Sequence, residues 1–96
     1  MIVQISTPAE LDFAAALGWL GERNVNRASR FLIEWDALVA RLEMFPDLGH
    51  QRADLDQAYL AIEVEGYIAL YRRDSDRIRV MRIVNAASDL FAVELG

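Results

Sequence analysis

The side chains that could do chemistry in this 96-residue chain gather in its last third. Arg72, Arg73, Arg79 and Arg82 supply positive charge, while Tyr67 and Tyr71, four apart, supply hydroxyls. Cleavage of RNA without a metal needs cations around the scissile phosphate. It also needs a group that aligns or deprotonates the attacking 2′-hydroxyl and an acid for the leaving group. The set is incomplete. Lysine is absent, and the one histidine, His50, falls in a loop where it is expected to be solvated. The simpler reading, that the tyrosines brace a sheet and the arginines solvate it, is favoured over catalysis. Asp54 with Asp56 and Asp74 with Asp76 fall in polar turns and read as solvated acids, since calcium takes six or more oxygen ligands. No cysteine is available for a disulfide or a thiolate ligand. Neither a phosphate-cradling glycine loop nor a metal-binding helix pair is present. No catalytic residue, metal or cofactor is therefore assigned.

Charge points the same way. The net charge is −5, and all ten basic residues are arginines. Residues 1–66 hold eleven acids and five arginines, a net −6, and residues 67–96 hold four acids and five arginines, a net +1. An acidic body opposes nucleic-acid binding, which depends on phosphate neutralisation, so direct nucleic-acid binding is not expected. The carboxy-terminal arginines can form a local basic patch, and their fork geometry suits paired contacts with carboxylates on a protein partner. An apolar share of 54% argues against disorder and reads equally as a well-filled α/β core or as some apolar surface left for a partner. The amino terminus lacks the basic region and long apolar run of a secretion signal. No stretch approaches the length of a membrane span. A soluble cytoplasmic protein is expected.

The elements that must position these residues read as a single α+β domain over 1–96. Met1 to Ile5 is a short apolar strand. Thr7-Pro8-Ala9-Glu10 reads as a helix start, with Thr7 the cap, Pro8 in the first turn and Glu10 completing a capping box. Leu11, Ala14, Ala15 and Trp19 follow at helical spacing. Gly18 and Gly21 weaken the end of that helix near Arg23, and small residues on its face allow close approach of a neighbour. After an Asn24-Val25-Asn26 turn, with Asn26 the expected cap, Ala28, Phe31, Leu32, Trp35, Leu38, Val39 and Leu42 give the strongest helical period in the chain. Trp19 and Trp35 are expected in the core. Pro46 ends this helix, and a loop is expected through Gln57. Leu60, Ile62 and Val64 alternate with Ala61, Glu63 and Glu65 as a strand with one wet face. Gly66 marks a turn, Tyr67–Tyr71 the next strand, and residues 72–77 a polar turn before Ile78–Val84. The expected product is an N-terminal strand, an αα-hairpin and an antiparallel β-meander packed on the helices. Arg79 should emerge on the wet side. Val80, Arg82 and Val84 share one face unless a bulge intervenes, so Arg82 marks either a site or a structural pair. The segment from Asp89 reads equally as a short helix or a strand.

In order and spacing, four landmarks resemble the ParE/RelE toxin superfamily of type II toxin–antitoxin systems, closer to the ParE branch. They are the Phe45-Pro46 to Gly49 turn, Arg52 before Leu55, the Tyr67/Tyr71 pair, and Arg82-Ile83-Val84 leading to Asp89-Leu90. RelE-like ribonucleases commonly use a tyrosine near the carboxy terminus and a set of basic residues. Here Phe91 stands at the tyrosine's place, and Ala86 and Ala87 lie where basic side chains would be. ParE-like proteins instead act on DNA gyrase and are blocked by a cognate antitoxin. That branch often has His followed by Arg-Asp after the last strand, where this chain has Asn85 and Ser88-Asp89. The resemblance implies an antitoxin segment wrapped over the helical hairpin and sheet edge, with gyrase or a related topoisomerase as the target. The residues expected to bind target or antitoxin are Tyr71, Arg72, Arg79, Arg82, Asn85 and Asp89. A homodimer is compatible with the apolar excess. The alternatives are a RelE-like ribosome-dependent endoribonuclease and a non-toxic binding protein that keeps the toxin fold.

Overall fold

Strand β1 (Ile2–Ile5) stops at Ser6, whose extended backbone and hydroxyl begin helix α1 (Thr7–Arg23). The Ser6 Oγ accepts from the Ala9 N–H at 3.2 Å, so Ser6 is the cap and the expected Thr7 is already helical. Pro8 is tolerated in the first turn because no intrahelical acceptor exists there for its missing N–H. Asn24 joins α1 to helix α2 (Val25–Met44) as a single hinge residue. Its N–H donates to the Leu20 carbonyl at 2.7 Å, and its Oδ1 accepts from the Arg27 N–H at 3.0 Å. The expected cap Asn26 therefore lies inside α2. The computed structural model describes residues 1–52 and 59–87. The Asp54/Asp56 pair and everything from Ser88, including Asp89 and Phe91, lie outside the described residues.

The sheet has five strands in the order β1-β5-β4-β3-β2, with β2 His50–Gln51, β3 Tyr59–Val64, β4 Tyr67–Arg73 and β5 Arg77–Asn85. β2 to β5 form the antiparallel meander, while β1 joins the far edge parallel to β5. The loop expected from Phe45 through Gln57 thus contains a two-residue strand, since His50 and Gln51 pair with Ala61 and Leu60. Two residues carry too little pattern to register as a strand in sequence.

Both helices lie on one face of the sheet. Ala9, Ala16 and Leu20 of α1 and Ala28, Phe31, Trp35, Leu38 and Leu42 of α2 are buried against Val64, Tyr67, Ala69, Tyr71, Ile78, Val80 and Ile83. Phe13 stacks on Phe31 with ring centroids 5.2 Å apart, and Phe31 meets Tyr67 at the same distance, tying both helices to β4. Two expectations fail here. Leu32 is largely exposed, and α1 is rotated from the face its sequence suggested. Leu11, Ala14, Ala15 and Trp19 point outward, while Phe13 and Leu17 pack inward. An α1 that is apolar all round has no preferred face of its own, so the caps and the aromatic stack orient it.

The other sheet face carries a smaller cluster of Tyr59, Ala61 and Leu70, with Ile68 and Met81 packed on it. The β3–β4 hairpin turns through Glu65 (φ 46°) and Gly66 (φ 82°), both left-handed, as a primed two-residue turn requires. Glutamate is uncommon there, and α2 supports it. Arg27 donates to the Glu65 carbonyl at 3.1 Å, and Arg30 pairs with its carboxylate at 3.7 Å.

Candidate functional site

A one-residue bulge decides where the arginines go. Leu70 pairs with Arg82 and Tyr71 with Val80, leaving Met81 without a partner in β4. The bulge shifts the alternation so that Ile78, Val80 and then Ile83 face the helices. Arg82 is thereby released from the row of Val80 and reaches α1. Its Nε and Nη2 donate to the two Asp12 oxygens at 2.7 and 3.0 Å. The Ile83 N–H donates to the same carboxylate at 2.9 Å. That N–H lies beyond the end of β1, whose last register partner is Val80. Ser6 closes the gap, donating its N–H to the Val80 carbonyl at 3.0 Å and its hydroxyl to the Met81 carbonyl at 2.9 Å. Asp12 was missed in the sequence. Its signal was a lone acid inside the run Leu11-Asp12-Phe13-Ala14-Ala15-Ala16-Leu17.

The expected binding residues divide into separate places. Arg72 and Arg79 are exposed register partners on β4 and β5, on the sheet face away from the helices. The Arg72 guanidinium sits 5.8 Å from the Tyr59 ring centroid, and Arg79 pairs loosely with Asp74 at 3.9 Å. Beside them, Arg77 grips Asp76 through two hydrogen bonds and holds that carboxyl below the usual aspartate range. Arg82 belongs to the α1 junction. Asn85 is exposed near it and lines a shallow hollow of about 280 Å³ with Asp12, Trp19 and Tyr67. Trp19, expected in the core, is instead 47% exposed, with the Arg23 guanidinium 4.1 Å from its ring centroid.

Tyr71 is not on the surface. Its side chain is wholly buried under the Phe45–Gly49 turn, where its hydroxyl accepts from the Gly49 N–H at 2.7 Å and donates to the Pro46 carbonyl at 3.2 Å. Arg73 clamps the same turn with two bonds to Asp47, at 3.0 and 2.8 Å. The expectation that Tyr71 touches a partner is corrected by this burial. Burial raises its pKa, opposed by the Gly49 hydrogen bond and reinforced by the nearby Asp47 charge. A raised folded-state pKa means stability that is complete below the ordinary tyrosine value near 10 and falls as pH rises toward the shifted one. Denaturant titrations between neutral and strongly alkaline pH should show that decline in the parent chain. The decline should be smaller in Tyr71→Phe, which has no proton to lose at this position.

The model of the family described as ParE toxin of type II toxin-antitoxin system, parDE, matches residues 3–90. The chain belongs to this ParE toxin family. The match spans both helices, all of the strands except Ile2 of β1, and every expected binding residue, Asp89 included. A solved chain from the chromosomal ParDE TA system of P. aeruginosa shares the fold with a TM-score of 0.73. It aligns over 88% of this chain and 95% of that one at 17% identity. No curated protein matches the sequence. Among the described residues of this ParE toxin, no cluster of His, Asp and Glu could hold a metal ion, and no helix is long and apolar enough to cross a membrane.

Proposed function

We propose that this ParE-family toxin binds and inhibits DNA gyrase or a related topoisomerase in the cytoplasm, and that a cognate antitoxin neutralises it. The observation that carries the reading is the family match over residues 3–90. The burial of Tyr71 supports protein binding over RNA cleavage, because a hydroxyl engaged by Gly49 and Pro46 cannot reach a leaving group. The acidic body adds to this, since it repels RNA approaching from solution. Arg72 and Arg79 then serve as carboxylate receptors for an acidic antitoxin segment laid across the open sheet face. Arg82 and Asn85 present the neighbouring edge, and Asp89 follows them in sequence.

The test is a supercoiling and cleavage-complex assay with purified toxin, repeated with the product of the adjacent gene. Accumulation of cleaved plasmid, reversed by that product, is expected. In the doubly reversed variant Arg72→Glu/Arg79→Glu, antitoxin affinity should fall at least about tenfold, the equivalent of 1.4 kcal/mol. A folded toxin without effect on gyrase, but cleaving messenger RNA on ribosomes, would replace this reading with the endoribonuclease one.

A further inference from the structure

The tip of the β3–β4 hairpin is held from two sides, and the two holds act on neighbouring peptides. On the helix side, the Arg27 guanidinium donates to the Glu65 carbonyl at 3.1 Å from a partly buried position. Its Nη2 stands 2.7 Å from the place that a Cβ on Gly66 would occupy, so the glycine, at φ 82°, gives it room to approach. On the sheet side, the Gly66 carbonyl accepts from the Ala86 N–H at 2.9 Å, one residue past the end of β5. Asn85 faces Tyr67 in register, and its Oδ1 accepts from the Ala87 N–H at 2.9 Å. The course of the chain from Asn85 to Ala87 is thus set against the hairpin tip.

Such a tip does not hold itself. Glycine moves between left- and right-handed backbone at little cost, and glutamate is disfavoured in the left-handed region that Glu65 occupies at φ 46°. A turn built from these two residues needs a restraint from outside it. Arg27 supplies one from a fixed base, because its own N–H donates to the Asn24 Oδ1 at 3.0 Å at the start of α2.

We propose that Arg27 is a positioning residue for the target-binding end of the toxin. By fixing the Glu65–Gly66 peptide it fixes the Gly66 carbonyl. Through the Ala86 N–H, that carbonyl sets the direction in which Asn85 and the residues after it leave the sheet. The role rests on the reading of this end as a surface for the inhibited topoisomerase. Arg30 does not share it. Its guanidinium meets the Glu65 carboxylate at 3.7 Å with 59% of the side chain accessible, and an exposed pair of that kind contributes little. Nor does the brace reach the open-face arginines, since Arg72 lies at the other end of β4, paired with Tyr59.

Amide hydrogen exchange, followed by NMR on the isotope-labelled full chain, reads the brace without any partner. Arg27→Met keeps the side chain's length and helix propensity and removes its donors. Exchange at Ala86 should quicken about tenfold or more, while Ala69, buried in the middle of β4, stays within about twofold of the parent. Gyrase inhibition by the same variant should weaken about tenfold or more. Arg27→Lys restores a donor for the Glu65 carbonyl and should recover most of both, and Arg30→Met should leave both near the parent. An Ala86 amide that exchanges in Arg27→Met as it does in the parent overturns the proposal. So does quickened exchange with inhibition unchanged. A parent toxin inert on gyrase sinks the target reading instead, and the Ala86 amide still decides whether Arg27 holds the tip.

Discussion

Gly49→Ala is expected to destabilise the folded domain by about 3 kcal/mol, lowering its melting temperature by about 15 °C. An added Cβ would stand 2.7 Å from the Tyr71 hydroxyl, 2.8 Å from its Cε1 and 2.9 Å from the Ala61 carbonyl oxygen. None of these can yield cheaply. Tyr71 is wholly buried, and Ala61 is paired with His50 across β2 and β3. Moving the turn away instead breaks the Gly49–Tyr71 hydrogen bond and leaves a partly buried donor without its acceptor. Tyr71→Phe provides the comparison. It removes both hydroxyl bonds but adds no atoms, so about half of the alanine effect is expected from it. Thermal melts of both variants by circular dichroism test the ordering. Equal losses would show that the hydrogen bonds, and not the close contact, hold the turn.

That turn also shows what the sequence could convey. Pro46 announces the end of α2 because its ring limits the local backbone, and Gly49 announces a bend because it lacks the Cβ that restricts other residues. The reason for Gly49 in particular is a tyrosine 22 residues away, which no local pattern encodes. α2 was legible for the same reason. Its apolar positions fall on one stripe, and all but Leu32 of those named are buried or partly buried. α1 was not, because with apolar residues all round, its true face was set by Phe13 stacking on Phe31. Trp19 was therefore placed inside when it lies outside. Asn24 and Ser6 displaced the expected caps Asn26 and Thr7 by one or two positions, as is common where several capping residues adjoin.

The candidate site was legible in type and only partly in arrangement. Arg79 follows from strand alternation, whereas Arg72, expected in the polar turn, lies in β4 and shares the open face with it. Tyr71 obeys the same alternation but falls on the helix side, with its polar end turned to the backbone. Arg82 depended on a bulge that the sequence allowed without requiring. Once Met81 is extruded, the arginine leaves the apolar row and the edge of β5 becomes the place where α1 is attached.

The attachment can be weighed through Asp12. Asp12→Ala is expected to destabilise by about 2.5 kcal/mol, below the range for a fully buried pair because the Asp12 and Arg82 side chains remain 17% and 26% accessible. The loss has two sources. Arg82 loses its two hydrogen bonds to the Asp12 carboxylate, and the Ile83 N–H loses its acceptor past the end of β1. They separate by substitution. Asp12→Asn keeps an oxygen for the Ile83 N–H while removing the charge, so it should fall between alanine and the parent. Asp12→Ala/Arg82→Met, taken with the two single variants, completes a double-mutant cycle that isolates the coupling between the carboxylate and the guanidinium. Urea midpoints at constant slope would read these differences directly. A loss within the roughly 0.5 kcal/mol typical of surface changes would mean that Ala9, Ala16 and Leu20 hold α1 to the sheet by packing alone. The expected loss would instead make Asp12 the residue that fixes how α1 sits on the sheet, although it lies away from Arg72 and Arg79 on the open sheet face.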